Sequence, residues 1–225
     1  MLQLKYHPAR DAAMALCAIV TFVWLAEVAL FGPPSPFDLH WRQHVHSYAQ
    51  PWITHVMWFA SWLGSGWVLW PGGMLLAGLL DRAGRRRDAL LFALAVVGAN
   101  LINEEMKTLF HRSRPEAWFD YPLPHTYSFP SGHAFVSCCF FLCLAEVLVR
   151  DQWPPLRKAV VWSAATACTL LIGLSRVYLG VHYPTDVLAG YAAAIVWTTV
   201  IRVGHHAWKE RRNAREITAG TTQGG

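Results

Sequence analysis

The chain has 225 residues, of which 54% are hydrophobic and 15% charged; it carries 12 Trp and a formal net charge of +5. Globular domains are roughly 45 to 50% apolar and about 25% charged, so this composition excludes intrinsic disorder, a disulfide-stapled miniprotein and a low-complexity chain. The positive balance does not indicate nucleic acid, because the basic residues fall in short clusters between apolar runs instead of gathering on one face.

A bilayer core of about 30 Å takes about 20 apolar residues per helical span. Residues 12–31 meet this requirement with one interior charge, Glu27, expected to face the bundle or the cytoplasmic interface. Their length, and the absence of a small-x-small cleavage site after them, speak against a removed signal peptide. In residues 33–51, Phe37, Trp41, Val45 and Tyr48 recur at helical spacing, with Ser35 as cap and Pro36 in the first turn. This predicts a short amphipathic helix, either lying in the outer interface or packed as a cap over the bundle. Residues 56–80 form the second predicted span, kinked at Pro71. Spans at 89–108, 131–149, 159–179 and 184–203 complete the set, followed by a tail over 204–225 that is expected to be partly disordered, most of all at 218–225. The predicted fold is all-α: a polytopic membrane protein with six transmembrane helices in a bundle and one interfacial helix, a single domain over 1–225. Cys17, Cys138, Cys139, Cys143 and Cys168 lie within apolar runs and read as small hydrophobes at helix contacts, not as disulfides or metal ligands.

With an even number of spans both termini share a side. Fourteen of the 19 Lys and Arg fall on that side, so the positive-inside bias makes it cytoplasmic. The remaining five, Arg42, Lys107, Arg112, Arg114 and Arg176, lie on the outer side and require another explanation.

Polar chemistry concentrates in three segments: Lys107 to Pro115, Pro130-Ser131-Gly132-His133, and Ser175 to Asp186. The predicted topology brings all three to the outer face. Lys107, Arg114 and Arg176 are three cations whose only matching carboxylate is Asp186, and guanidinium forks suit phosphate oxygens. Ser131 is a natural helix cap, Gly132 lets an anion approach the main chain, and Pro184 fits the first turn of the last span. His182 and Asp186 are four apart, so the carboxylate can hold one imidazole nitrogen while the other attacks. His133, across the pocket, can protonate a leaving oxygen. Metal ligation is not part of this reading.

The pattern K-x6-R-P, P-S-G-H, S-R-x5-H-x3-D resembles the signature of the type 2 phosphatidic acid phosphatase superfamily, with all eleven signature residues present between Lys107 and Asp186. The resemblance implies that His182 is a nucleophile forming a phosphohistidine, Asp186 its partner and His133 the general acid. It further implies Lys107, Arg114, Arg176, Ser131 and Gly132 as phosphate ligands, and no metal or other cofactor. The expected activity is hydrolysis of a phosphate monoester or pyrophosphate of a membrane lipid: undecaprenyl pyrophosphate, phosphatidylglycerol phosphate, phosphatidic acid or lipid A. A lipid phosphotransferase and a non-catalytic lipid-binding membrane protein are the alternatives. The expected location is a bacterial inner membrane with the active site at its periplasmic face. His40, His44, His46, His55, His205 and His206 read as ordinary polar positions. Glu104 and Glu105 receive no catalytic role, with an ion pair to a catalytic Arg and a solvated interface position both open to them, and His111, Arg112 and His125 are expected to flank the pocket.

Overall fold

The computed structural model describes residues 7–222, with side chains through 212. Among them the helices are α1 (Pro8–Leu30), α2 (Pro36–Ser47), α3 (Pro51–Leu63), α4 (Gly66–Arg82), α5 (Arg86–Phe110), α6 (Gly132–Leu148), α7 (Pro155–Tyr178) and α8 (Pro184–Thr222). Proline opens α1, α2, α3 and α7 in the first turn, where its missing N–H costs nothing. Ser35 caps α2 as its sequence suggests, its Oγ accepting the Asp38 N–H at 3.1 Å. The start of α8 is closed differently: Asp186 Oδ2 reaches back to accept the Tyr183 N–H at 2.9 Å, the acidic half of a capping box.

Among the described residues, four helices are long and apolar enough to cross a membrane: α1, α5, α7 and residues 184–212 of α8. The α3–α4 pair makes a fifth if its two halves, bent by 47°, count as one span. This corrects the expected continuous helix over 56–80 kinked at Pro71. The break falls at Gly64 and Ser65, α3 begins at Pro51, and Pro71 lies inside α4 without ending it. The reason is packing. A Cβ on Gly64 would stand 2.4 Å from Ile172 Cγ2, so α3 presses on α7 through a bare glycine and the chain turns there.

Helix α6, 17 residues and apolar, is the axis of the bundle, flanked by α5, α7 and α8. Phe135, Val136, Cys138, Cys139 and Phe140 fill the core with Leu69, Phe92 and Val96. Outward faces carry large apolar side chains, up to Trp67 at 88% exposure, the reverse of a soluble surface and suited to lipid. Of the cysteines, Cys138 and Cys139 are buried in the core while Cys17 is exposed, so only some are contact residues. Glu27 is exposed near the end of α1, not turned into the bundle. Helix α8 continues to Thr222 where partial disorder was expected over 204–225, its extension steadied by Arg87 and Arg212 against Trp208 and by a His206–Glu210 pair; residues 223–225 lie outside the described residues.

Helix α2 packs its Asp38 side on α8 and leaves Phe37, Trp41 and Tyr48 exposed. It thus has both the buried contact of a cap and an outward apolar ridge.

The approach of α8 to α6 depends on Gly190, where a Cβ would stand 2.7 Å from the Ser131 carbonyl oxygen and 3.0 Å from Ala134 Cβ. Backbone does not yield as a flexible side chain would, so Gly190→Ala is expected to destabilise the bundle by about 1–3 kcal/mol. Thermal unfolding in detergent checks this, with a lowered Tm as the expected result.

Candidate active site

The ends of α5 and α7, the start of α6 and α8 and the 111–131 connection converge at one end of the bundle. The turn from α7 into α8 requires Gly180: its φ is +77°, and a Cβ there would sit 2.9 Å from both the Glu116 carbonyl oxygen and the Trp118 nitrogen. Trp118 N–H donates to the Leu179 carbonyl at 3.0 Å, which lays the connection across the turn. Arg42 of α2 holds the same layer. Its guanidinium donates to the Glu116 carbonyl and lies 4.1 Å over the Trp118 ring.

His182 and Asp186 are buried together, with His182 Nδ1 3.2 Å from Asp186 Oδ2. The other ring nitrogen, Nε2, is 3.0 Å from Arg114 Nη1. Arginine only donates, so Nε2 is the acceptor and the ring proton resides on Nδ1, donated to Asp186. This leaves the Nε2 lone pair directed into the cationic pocket. Asp186 is held in turn by Tyr183 N–H on Oδ2 and by Arg112 Nη1 on Oδ1.

Arg114 is fixed in the connection by Thr126 and Tyr127: Nε donates to the Thr126 carbonyl at 2.7 Å and Nη2 to Thr126 Oγ1 at 3.1 Å and the Tyr127 carbonyl at 3.0 Å. Lys107 Nζ donates to Glu104 Oε1 at 3.1 Å and Thr126 Oγ1 at 3.4 Å. Arg176, fully buried, donates through Nη1 to Ser61 Oγ and, at 3.0 Å, to Tyr121 OH. His133 lies within electrostatic reach of Arg176, His182, Lys107 and Arg114. Arg176 Nε, Ser131 Oγ and Asn103 Oδ1 are buried without hydrogen-bond partners. Buried polar atoms left unpaired on α7, at the cap of α6 and on α5 are what a site for a polar ligand looks like. Gly132 adjoins Asn103, since a Cβ there would meet Asn103 Nδ2 at 2.8 Å.

The electrostatics favour a neutral histidine. Burial pushes His182 well below the ordinary histidine value, and Arg114, Arg176 and Lys107 push in the same direction. Burial, then Arg176, bring Arg114 down to about 10, still charged at neutral pH. For Arg112 burial opposes the charge, but Asp186 and Asp38 more than offset it and the net shift is upward.

Every signature position from Lys107 to Asp186 thus lies at this end of the bundle, with adjustments. Ser131 occupies the cap position of α6, yet its hydroxyl makes no cap bond and its N–H donates to the Asp186 carbonyl at 3.0 Å. Lys107 has a carboxylate partner in Glu104, which is half exposed, whereas the sequence had suggested Asp186 alone among the cations. His111 turns outward onto Tyr127, and His125 is exposed. Arg112 flanks the His182–Asp186 pair from a buried position between Asp38 and Asp186. Asp38, Thr185, Thr126, Ser61 and Tyr121 are partners that motif spacing did not reveal, and only the acid in the first turn of α2 had any local signal.

Residues 88–210 match the profile of the PAP2 superfamily. The chain is 33% identical over 150 residues to phosphatidylglycerophosphatase B of Bacillus subtilis, covering 65% of this chain and 72% of that protein. It is 34% identical over 113 residues to the lipid A 1-phosphatase of Rhizobium etli, covering 46% of this chain and 44% of that protein. A crystal structure of a transmembrane PAP2-type phosphatidylglycerolphosphate phosphatase from Bacillus subtilis superposes with a TM-score of 0.74 at 29% identity, covering 86% of this chain and 96% of that one. The fold and the site define an all-helical membrane protein built around a buried cationic pocket. The chain belongs to the PAP2 superfamily.

Because His182 is held below the ordinary value of 6.5, it remains unprotonated as the pH falls through that value. Corrected for ionisation of the substrate, the acid limb of kcat/KM, set by protonation of His182, is therefore expected below pH ~6.5. An acid limb at or above 6.5 would contradict the buried, neutral imidazole.

Proposed function

We propose that this protein is a membrane lipid phosphatase that hydrolyses a phosphate monoester or pyrophosphate of a lipid through a phosphohistidine on His182. The observation that carries the proposal is the orientation of His182: Nδ1 is occupied by Asp186 and the Nε2 lone pair faces Arg114. A dianion takes the place opposite Nε2, its oxygens held by Lys107, Arg114 and the free Nε of Arg176. Ser131 Oγ and the Gly132 N–H, in the unpaired first turn of α6, complete the cradle. Electrostatic stabilisation of the transferring group is the principal means by which such sites act.

In the first step Nε2 attacks phosphorus, the bond to the lipid oxygen breaks, and protonated His133 gives its proton to that oxygen. In the second, water loses a proton to His133 and attacks the phosphohistidine. Inorganic phosphate leaves and Nε2 regains its lone pair. Asp186 keeps the Nδ1 proton throughout and balances the positive charge on the phosphorylated ring. The side chains present supply each role without a metal ion.

In this reading the protein has six spans, counting α6 and the bent pair, with both termini cytoplasmic and the pocket at the periplasmic face of a bacterial inner membrane. Support comes from the fourteen basic residues on the opposite side. The ridge of Phe37, Trp41 and Tyr48 suits α2 to the outer interface. Phosphatidylglycerol phosphate leads the candidate substrates, because a phosphatidylglycerophosphatase is the relative with the longer match described above and a phosphatidylglycerolphosphate phosphatase is among the structures that superpose. Phosphatidic acid, undecaprenyl pyrophosphate and lipid A are the others.

Phosphate release from a panel of these lipids by detergent-purified protein tests the proposal. Activity is expected in the presence of a chelator, and inhibition by vanadate. His182→Ala is expected to lower kcat by at least ~10⁴-fold, as removal of a nucleophile does. Arg176→Lys, losing the planar fork and Nε, is expected to cost about 10²–10³-fold. Retained turnover in His182→Ala would overturn the assignment.

A further inference from the structure

One fully buried charge takes no part in the chemistry above: the carboxylate of Asp38 on α2. Its Oδ1 accepts the Thr185 N–H at 2.9 Å, and its Oδ2 accepts the Thr185 hydroxyl at 2.8 Å and Arg112 Nη2 at 2.8 Å. Arg112 Nη1 donates to Thr185 Oγ1 at 2.8 Å and to Asp186 Oδ1. The guanidinium stacks 4.2 Å over the Tyr183 ring. A single arginine thus spans two carboxylates from opposite ends of the sequence.

The division of that guanidinium matters. Arginine favours bidentate, fork-on-fork pairing with one carboxylate. If both terminal nitrogens turned to Asp186, Nη2 would compete with His182 Nδ1 and Tyr183 N–H for Oδ2 and neutralise the acid. Asp38 captures Nη2, confines Arg112 to Oδ1, and leaves Oδ2 to the imidazole.

We propose that Asp38 is a positioning residue for the reaction, dividing Arg112 between two carboxylates so that Asp186 keeps the charge and the oxygen that orient His182. This rests on His182 as the nucleophile. The charged and titratable groups facing the His182–Asp186 pair are Arg112 and Arg114 of the connection, Lys107 of α5, His133 of α6, Arg176 of α7, Tyr183 next in sequence and Asp38 of α2. Of these, Arg112 reaches the acid through Oδ1, the oxygen that His182 does not use, and Asp38 acts through Arg112.

The test is the pH dependence of kcat/KM, and kcat per active site, in Asp38→Asn, Asp38→Glu and Arg112→Gln, with active sites counted by phosphohistidine trapped from labelled substrate. In Asp38→Asn the amide oxygen still accepts from Thr185 N–H, but the anion is gone. Arg112 then turns more fully onto Asp186, and the imidazole loses basicity. kcat is expected to fall roughly ten- to a hundredfold with KM within about twofold, and the acid limb to move down. Asp38→Glu keeps the charge and is expected to bring the limb back toward wild type. Arg112→Gln leaves Asp186 un-neutralised and is expected to move the limb up. A merely structural Asp38 would reduce the number of titrated sites and move no limb. Unchanged kcat per site with an unchanged limb in Asp38→Asn overturns the proposal. Should that variant not fold, a limb in Arg112→Gln that stays or falls overturns it. Failure of the histidine reading is recognisably different, because wild type would then trap no phosphate on His182.

Discussion

The start of α8 is the constraint from which the rest of the site follows. A helix entering here leaves first-turn N–H groups without intrahelical partners. Asp186 answers the Tyr183 N–H from within the helix, and Asp38 answers the Thr185 N–H from α2. Both are anions at the positive end of a helix dipole, which favours their charge. The carboxylate that closes the helix also holds His182 Nδ1, so His182 is placed by the element that begins beside it. Capping and orienting become one geometry, and neither shifts without the other.

Around that point the bundle supplies cations and keeps them from finding carboxylates too easily. Arg176 is buried against two hydroxyl groups, and Arg114 is fastened mostly by carbonyl oxygens and Thr126. Such partners satisfy N–H groups without cancelling charge, so the positive field remains available to an anion. Lys107 alone among the three has a carboxylate, Glu104, and that carboxylate is half exposed, where solvent weakens the pairing. Two further cations at this end of the bundle have mechanical duties instead. Arg42 fastens the connection to α2, and Arg112 joins two buried acids.

Much of this was legible in the sequence, for identifiable reasons. Apolar runs separated by basic clusters report a bilayer directly, and the four-residue spacing of His182 and Asp186 has one geometric meaning at a helix start. Ser35 and Pro36 announced α2 by local chemistry alone. What the sequence did not reveal depends on contacts between distant segments. The bend fell at Gly64 and not at Pro71 because it is set by a close approach to Ile172 on another helix. Arg112 reads as one more basic residue beside Arg114 until the fold brings Asp38 to it. Thr126, Ser61 and Tyr121 belong to no motif, being partners of a cation.

The central claim is that His182 presents Nε2 and reserves Nδ1 for Asp186. The most direct measurement is the position of the phosphoryl group on the ring in the trapped intermediate, read by phosphorus–nitrogen coupling in the labelled, acid-free protein. The account predicts phosphate on Nε2 of His182. Phosphate on Nδ1, or on another residue, would contradict it.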